Sequence, residues 1–121
     1  MDEQMITHPN TKKGLKYIYV AGPYAHPDPV VNTRRACLVG DVLRSAGFAP
    51  YVPHTTLLWH AISPHDEQFW YDLDIDWLLK CDALVRIPGE SVGSDHEVAI
   101  AAANNIPVFF GMQSFLEENS K

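Results

Sequence analysis

The stretch Asp74-Ile-Asp-Trp-Leu-Leu-Lys-Cys-Asp82, continued by Ala83-Leu-Val-Arg-Ile-Pro-Gly89 and Ser91-Val-Gly-Ser-Asp-His-Glu97-Val-Ala-Ile-Ala101, decides the fold of this 121-residue chain. Its first part reads as a helix and its second as a buried strand. The third reads as a tight Gly/Ser/Pro loop that runs into another helix. That loop delivers one carboxylate, Glu97, onto the start of the helix. In an open α/β sheet, ligands bind just beyond the carboxyl ends of the strands, where this loop falls. A carboxylate fixed there, with Asp74 and Asp95 as neighbours, points to covalent or acid–base chemistry on a small molecule.

The same alternation recurs on either side of this unit. Residues 15–21 (LKYIYVA) form a β-branched and aromatic run that ends at Gly22-Pro23, a strand followed by a turn. Residues 24–29 hold two prolines and a histidine and read as loop. Asp28 or Pro29 opens a helix over 30–46, with Ala36, Val39, Leu43 and Ala46 on one face and Gly47 as its stop. A short strand follows over 48–52. Residues 53–64, containing His54, Trp59 and His60, read as a long irregular segment. Ser63, Pro64 and Asp66 signal a second helix reaching about Cys81. The third strand is 83–87, with loop over 88–93. Ser94 or Asp95 caps a third helix to 104 or 105, 106–110 is the fourth strand, and 112–119 a final short helix.

Residues 1–14 are expected to be a flexible lead, and 15–121 a single domain. The continuous apolar strands call for a parallel sheet of four or five strands covered on both faces. The expected fold is therefore a single-domain, three-layer α/β sandwich. Right-handed crossovers make a flavodoxin-like, Rossmann-like strand order the leading topology.

Composition narrows the function classes. Hydrophobic residues make up 46% and charged ones 20%, as in ordinary globular proteins. A formal charge of −6 leaves no electrostatic footprint for nucleic acid or an anionic membrane. No run approaches the ~18 apolar residues of a membrane span. The polar, mixed-charge start is unlike a signal peptide, so a cytoplasmic location is expected. Cys37 and Cys81 lack any CxxC or metal spacing and read as reduced structural thiols.

Several residues carry possible chemistry, each with a plainer alternative. Glu97, in the first turn of its helix, would be held ionised by the backbone N–H groups there. An oriented, ionised carboxylate can attack an electrophilic sugar carbon. Equally, Ser94-x-x-Glu97 is a capping box. Asp95 fits the acidic bias of any first helical turn. Asp72, Asp74 and Asp76 lie about 200° apart in succession on one helix, so they cannot all face one way. With Trp70, Leu73, Trp77 and Leu78 as the buried stripe, at least one aspartate faces solvent. Trp59, Trp70 and Tyr24 are able to stack on a base or simply to fill core. Arg34, Arg35 and Arg86 are possible phosphate partners or plain surface charges. His54, His60, His65 and His96 raise a metal-dependent hydrolase as a distant alternative, but no zinc spacing is present. No metal and no cofactor is expected. The absence of G-x-x-x-x-G-K-S/T and of G-x-G-x-x-G weighs against an NTPase or a dinucleotide oxidoreductase.

At these residues the chain resembles the nucleoside 2-deoxyribosyltransferase superfamily, which includes the deoxynucleoside 5′-monophosphate N-glycosidases. The resemblance covers about residues 17–110. It is most specific at Tyr19-Val-Ala-Gly22, at Asp74-x-x-Trp77-Leu78-x-x-Cys81-Asp82, and at Ser91-Val-Gly93-x-x-x-Glu97, within a G-x-x-x-E-x-x-x-A pattern completed by Ala101. Ala21-Gly-Pro-Tyr24 and Pro50-Tyr-Val-Pro-His54 look more like a small bacterial and phage branch. The resemblance implies Glu97 as nucleophile, Tyr19 as the residue that orients it, and Asp74 on the sugar or the leaving base. It implies a small-molecule nucleoside or nucleotide as substrate; taken together with the residue readings above, Gly22, Tyr24, Ser91, Gly93, Asp95, Arg34, Trp59 and Ser114 are the binding candidates. A homodimer or larger homo-oligomer is implied too, with Gln113 or Ser114 completing a neighbour's pocket. Pro23 and Ala25 stand where the monophosphate glycosidases have a serine and an arginine for phosphate. The segment from His54 to His65 has no counterpart and is expected to act as a lid or to set base choice. A non-catalytic nucleotide-binding module of the same fold is the alternative to an enzyme.

Overall fold

Tyr17–Ala21 is apolar on both sides, and it becomes the strand about which everything else is arranged. A computed structural model describes residues 14–119 of the chain. The expected flexible lead lies outside the described residues except for Gly14. In chain order the elements are β1 (Tyr17–Ala21), α1 (Pro29–Ser45), β2 (Ala49–Tyr51), a 3-10 turn (Pro53–Thr55), α2 (Thr56–Ile62) and α3 (Glu67–Leu78). Then come β3 (Ala83–Arg86), α4 (Val92–Ala103), β4 (Val108–Phe110) and α5 (Met112–Asn119).

The four strands form one parallel sheet in the order β2-β1-β3-β4. β1 and β3 are therefore central and buried on both faces, which explains their apolar sequence, broken only by Arg86 at the end of β3. Alternate side chains go to opposite layers. Ile18, Val20, Ala83, Val85 and Ile87 meet α1 through Ala36 and Leu43, and α5 through Phe115. Tyr19, Ala21 and Leu84 meet Leu78 and Ile75 of α3, with Ala101 and Val98 of α4. This is the three-layer, flavodoxin-like arrangement expected. The chain direction switches between β1 and β3, so the carboxyl ends of those strands open the crevice where such folds place a site.

The elements are fixed by ordinary local chemistry. Asp28 caps α1, accepting from the backbone N–H groups of Val30 and Val31, and Pro29 occupies its first turn. Asp82 Oδ2 accepts from the N–H groups of Lys16 and Tyr17 at 2.8 and 2.9 Å, tying the start of β1 to the start of β3. Cys37 and Cys81 are both free, and Cys81 is buried in the layer beneath α3 and α4. No described helix is long and apolar enough to cross a membrane.

Three local expectations are corrected. The segment 53–64 is not irregular: it is the 3-10 turn followed by α2. It escapes a periodicity reading because no α2 residue is buried. The expected stripe on α3 is also different. Only Leu78 is buried there, while Ile75 packs beside it and Trp77 is 47% exposed, stacked on Tyr51 at 5.3 Å. Finally, α4 starts earlier than Ser94. Ser91 is its cap and accepts from the N–H of Ser94 at 3.1 Å.

Candidate functional site

That last shift changes the meaning of Glu97. With Ser91 as cap, Glu97 sits in the second turn of α4 and is no capping-box partner of Ser94. It is buried, and its Oε2 accepts a 2.7 Å hydrogen bond from the Tyr19 hydroxyl, which reaches it from the middle of β1. Two residues 78 apart in sequence thus meet because parallel pairing sets the end of β1 beside the β3–α4 loop.

The expected ionisation of Glu97 by the helix start is therefore replaced by an opposite effect. Burial pushes its carboxyl up to about 7, against the Tyr19 hydrogen bond and the Arg86 charge, which both favour the ionised form. Asp74 comes close enough for its charge to be felt. Burial and then the Glu97 charge push it to about 7 as well, and its Oδ1 is buried without a hydrogen-bond partner. Tyr19 is held protonated, far above the ordinary phenol range, by burial and then by the charges of Glu97 and Asp74. Tyr51, 5.8 Å from the Tyr19 ring, is raised to about 12 by burial and Asp74. Two like carboxyls in one buried site titrate as a pair. Tyr19 and Arg86 favour the ionised form of Glu97, whereas burial and the Glu97 charge both disfavour that of Asp74.

A cavity of about 380 Å³ lies against Glu97. Gly22, Ser91, Gly93, Ser94 and Glu97 form the wall at the sheet edge. Tyr24, Pro53, His54, Thr56, His60, His65, Glu67 and Trp70 form the rest. Its size falls within the range of about 300–1,000 Å³ usual for small-molecule sites. Asp74 is not part of this wall. Tyr24 is presented by a loop that Asn32 clamps: its buried Nδ2 donates to the carbonyls of Tyr24 and His26, each at 2.9 Å. His54 is buried with Nε2 donating to the Pro23 carbonyl at 2.9 Å, and burial lowers its basicity.

The sequence candidates separate cleanly. Tyr19, Glu97 and Asp74 are brought together, and Gly22, Tyr24, Ser91 and Gly93 line the cavity. Ser91 donates its hydroxyl hydrogen to Ser94 Oγ at 3.0 Å, so its donor is committed within the helix cap. Asp95 faces an outer groove and pairs with Arg86 at 2.9 Å. Arg86 is itself buried and also donates to the carbonyls of Ile87 and Gly89, so it braces the β3–α4 loop rather than waiting for phosphate. Arg34 is exposed on α1 and Ser114 lies on α5; neither lines the cavity. Trp59 also stays outside the wall, packed edge-on against Trp70 at 5.1 Å. Among the described residues, no group of three His, Cys, Asp or Glu is placed to hold a metal.

The residues that sequence reasoning missed as site residues include the lining residues Pro53, Thr56, Glu67 and Ser94 and the clamp Asn32. Asn32 carried no signal, because an asparagine inside a helix is ordinarily surface. His54, His60 and His65 drew attention as metal ligands and, through their segment, as a lid or a determinant of base choice. Their grouping with Trp70 was legible only as a cluster of aromatic letters around a Ser-Pro turn.

No family profile and no curated protein sequence matches the chain. Among solved structures its fold is similar to that of a 2-deoxyribosyltransferase from the psychrotolerant bacterium Bacillus psychrosaccharolyticus. The likeness has 20% sequence identity and a TM-score of 0.56, covering 76% of this chain and 69% of that one. That enzyme is described as a biocatalyst for the synthesis of antiviral and antitumoral nucleosides. The fold read from the sequence and the fold of that structure agree.

Proposed function

We propose that this chain cleaves or exchanges the N-glycosidic bond of a (deoxy)nucleoside or nucleoside 5′-monophosphate, with hydrolysis favoured over transfer. The observation that carries the reading is the buried Glu97 carboxylate, held by the Tyr19 hydroxyl at the edge of a nucleoside-sized cavity. Tyr19 occupies Oε2, which leaves Oε1 to attack C1′ of the sugar. As the C1′–O bond forms, the C1′–N bond breaks and its electron pair departs on the base nitrogen, which takes up a proton. Water then adds to C1′, the bond to Glu97 breaks with return of its carboxylate, and one proton is released. A second base in place of water gives the exchange reaction.

Asp74 contributes by keeping the proton of the carboxyl pair. When protonated it does not repel the ionised Glu97 beside it. The fold shared with a 2-deoxyribosyltransferase supports this class of chemistry. Hydrolysis is favoured because the Ser91 loop resembles that of the N-glycosidases.

The test is base release from a panel of ribo- and deoxyribonucleosides and their 5′-monophosphates, followed by chromatography with and without a second free base. Wild-type protein is expected to free base without an acceptor. Glu97→Ala is expected to remain folded and to lose about a thousandfold or more in rate, as removal of a nucleophile does. Retained activity in that variant would overturn the reading.

A further inference from the structure

The cavity wall at the far side from the sheet is made by α2 and the start of α3, and one of its donors is fixed in an unusual way. The Trp70 indole N–H donates to Nδ1 of His60 at 2.8 Å, and the His65 backbone N–H approaches the same atom at 3.3 Å. An indole nitrogen only donates, as does a backbone N–H. Nδ1 of His60 therefore carries the lone pair, and the ring hydrogen sits on Nε2. The ring is also held edge-to-face on Trp70, with centroids 5.7 Å apart. His60 is only half-buried, and its Nε2–H has no partner among the described residues.

Most other side-chain donors in the wall are already used. Trp70 gives its N–H to His60, Thr56 its hydroxyl to the Pro53 carbonyl, His54 its Nε2–H to Pro23, and Ser91 its hydroxyl to Ser94. A clamped donor left open on a cavity wall marks where a ligand acceptor is to sit. On the glycosidic reading above, the group leaving toward this wall is a nucleobase that gains negative charge as it departs. A donor preset toward it would stabilise that charge without reorganising.

We propose that His60 is a specificity-determining residue: its Nε2–H, locked in place by Trp70, donates to an acceptor on the nucleobase and stabilises that base as it leaves. The proposal rests on the glycosidic reading for the leaving-group role. The binding contact stands without it.

The experiment compares kcat/KM for 2′-deoxyinosine and 2′-deoxyuridine with that for p-nitrophenyl 2-deoxyriboside, whose leaving group departs unaided. In His60→Phe the ratio of nucleoside to aryl substrate is expected to fall about 10- to 100-fold, the range for losing one hydrogen bond to a charged group. Because it is a ratio within one protein, a smaller folded fraction does not move it. His60→Gln, which returns an amide N–H near the same position, is expected to recover part of the ratio. In Trp70→Phe the Nδ1 clamp is lost, and a partial fall is expected. An unchanged ratio in His60→Phe, or an equal loss on both kinds of substrate, overturns the proposal.

If wild-type protein releases base from none of these, the glycosidic reading fails. The contact is then judged on 15N-histidine spectra with free hypoxanthine and uracil added. A shift of the His60 Nε2–H resonance sustains the contact, and no shift for either base overturns it.

Discussion

Glu97 is buried in a site that penalises its charge, yet it has a phenol donor and a nearby guanidinium that favour it. These opposing effects leave the carboxyl titrating near neutrality, where a nucleophile is both available and desolvated. Removing the donor is expected to have two separable effects. In Tyr19→Phe the rate should fall about 10- to 100-fold, the worth of one hydrogen bond to a charged group. The acid limb of the pH–rate profile should also move to higher pH, because Tyr19 lowers the Glu97 value and its loss raises it. A profile measured from pH 5 to 9 checks both, and a limb that stays in place would mean that Tyr19 only fills space. The identity of Glu97 as a candidate was legible in the sequence from its loop, but its environment was not. The one-turn error in the start of α4 turned a charge-stabilising position into a charge-penalising one. Only the partners of Ser91 settle where that helix begins.

At the level of elements, the site depends on how closely the ends of β1 and β3 approach. Gly22 follows β1, and a Cβ there would lie 2.9 Å from Cβ of Ile87, which is backbone-anchored and has no room to move. Gly22→Ala is expected to destabilise the fold by about 1–3 kcal/mol, the usual cost of overpacking. Urea unfolding measures this directly, and an unchanged midpoint would show that the two loops separate freely. Gly89 reinforces the same junction: it has φ of +125°, and a Cβ there would meet Pro23 Cγ at 2.8 Å. The central strands and α1 were legible because burial on both faces leaves apolar runs in β1 and β3, and because Asp28-Pro29 is a strong start signal. α2 was not legible. It buries none of its residues and is held through aromatic edges, such as Trp59 against Trp70 and Phe69, rather than through a periodic stripe.

Across the whole molecule, the carboxyl pair sets a cost that the fold bears for its site. The ordinary value for Glu97 is 4.5 and its folded value about 7, so between those pH values the folded chain keeps a proton that the unfolded chain has released. Asp74 behaves alike, from 3.8 to about 7. The contribution of these two groups is therefore fullest below their unfolded values, declines as pH rises to about 7 and then levels off. Glu97→Gln removes one of these contributions. Its melting temperature is expected to exceed that of wild type by an increment that grows from pH 5 to pH 8, as measured by thermal scans across that range. An increment that shrinks with pH would place the charge of Glu97 among stabilising groups. The topology was legible from strand–helix alternation and crossover handedness. The cavity wall was less so, because residues such as His60 and Tyr24 are placed there by partners far along the chain or across a turn.

In the proposed reaction Glu97 takes the sugar covalently. The most direct measurement is rapid acid quench of the protein during turnover of a 2′-deoxynucleoside, followed by peptide mapping by mass spectrometry. A deoxyribosyl ester is expected on the peptide carrying Glu97 and is expected to be absent in Glu97→Gln. Base release with no adduct on that peptide, or with the sugar on a different side chain, would contradict it.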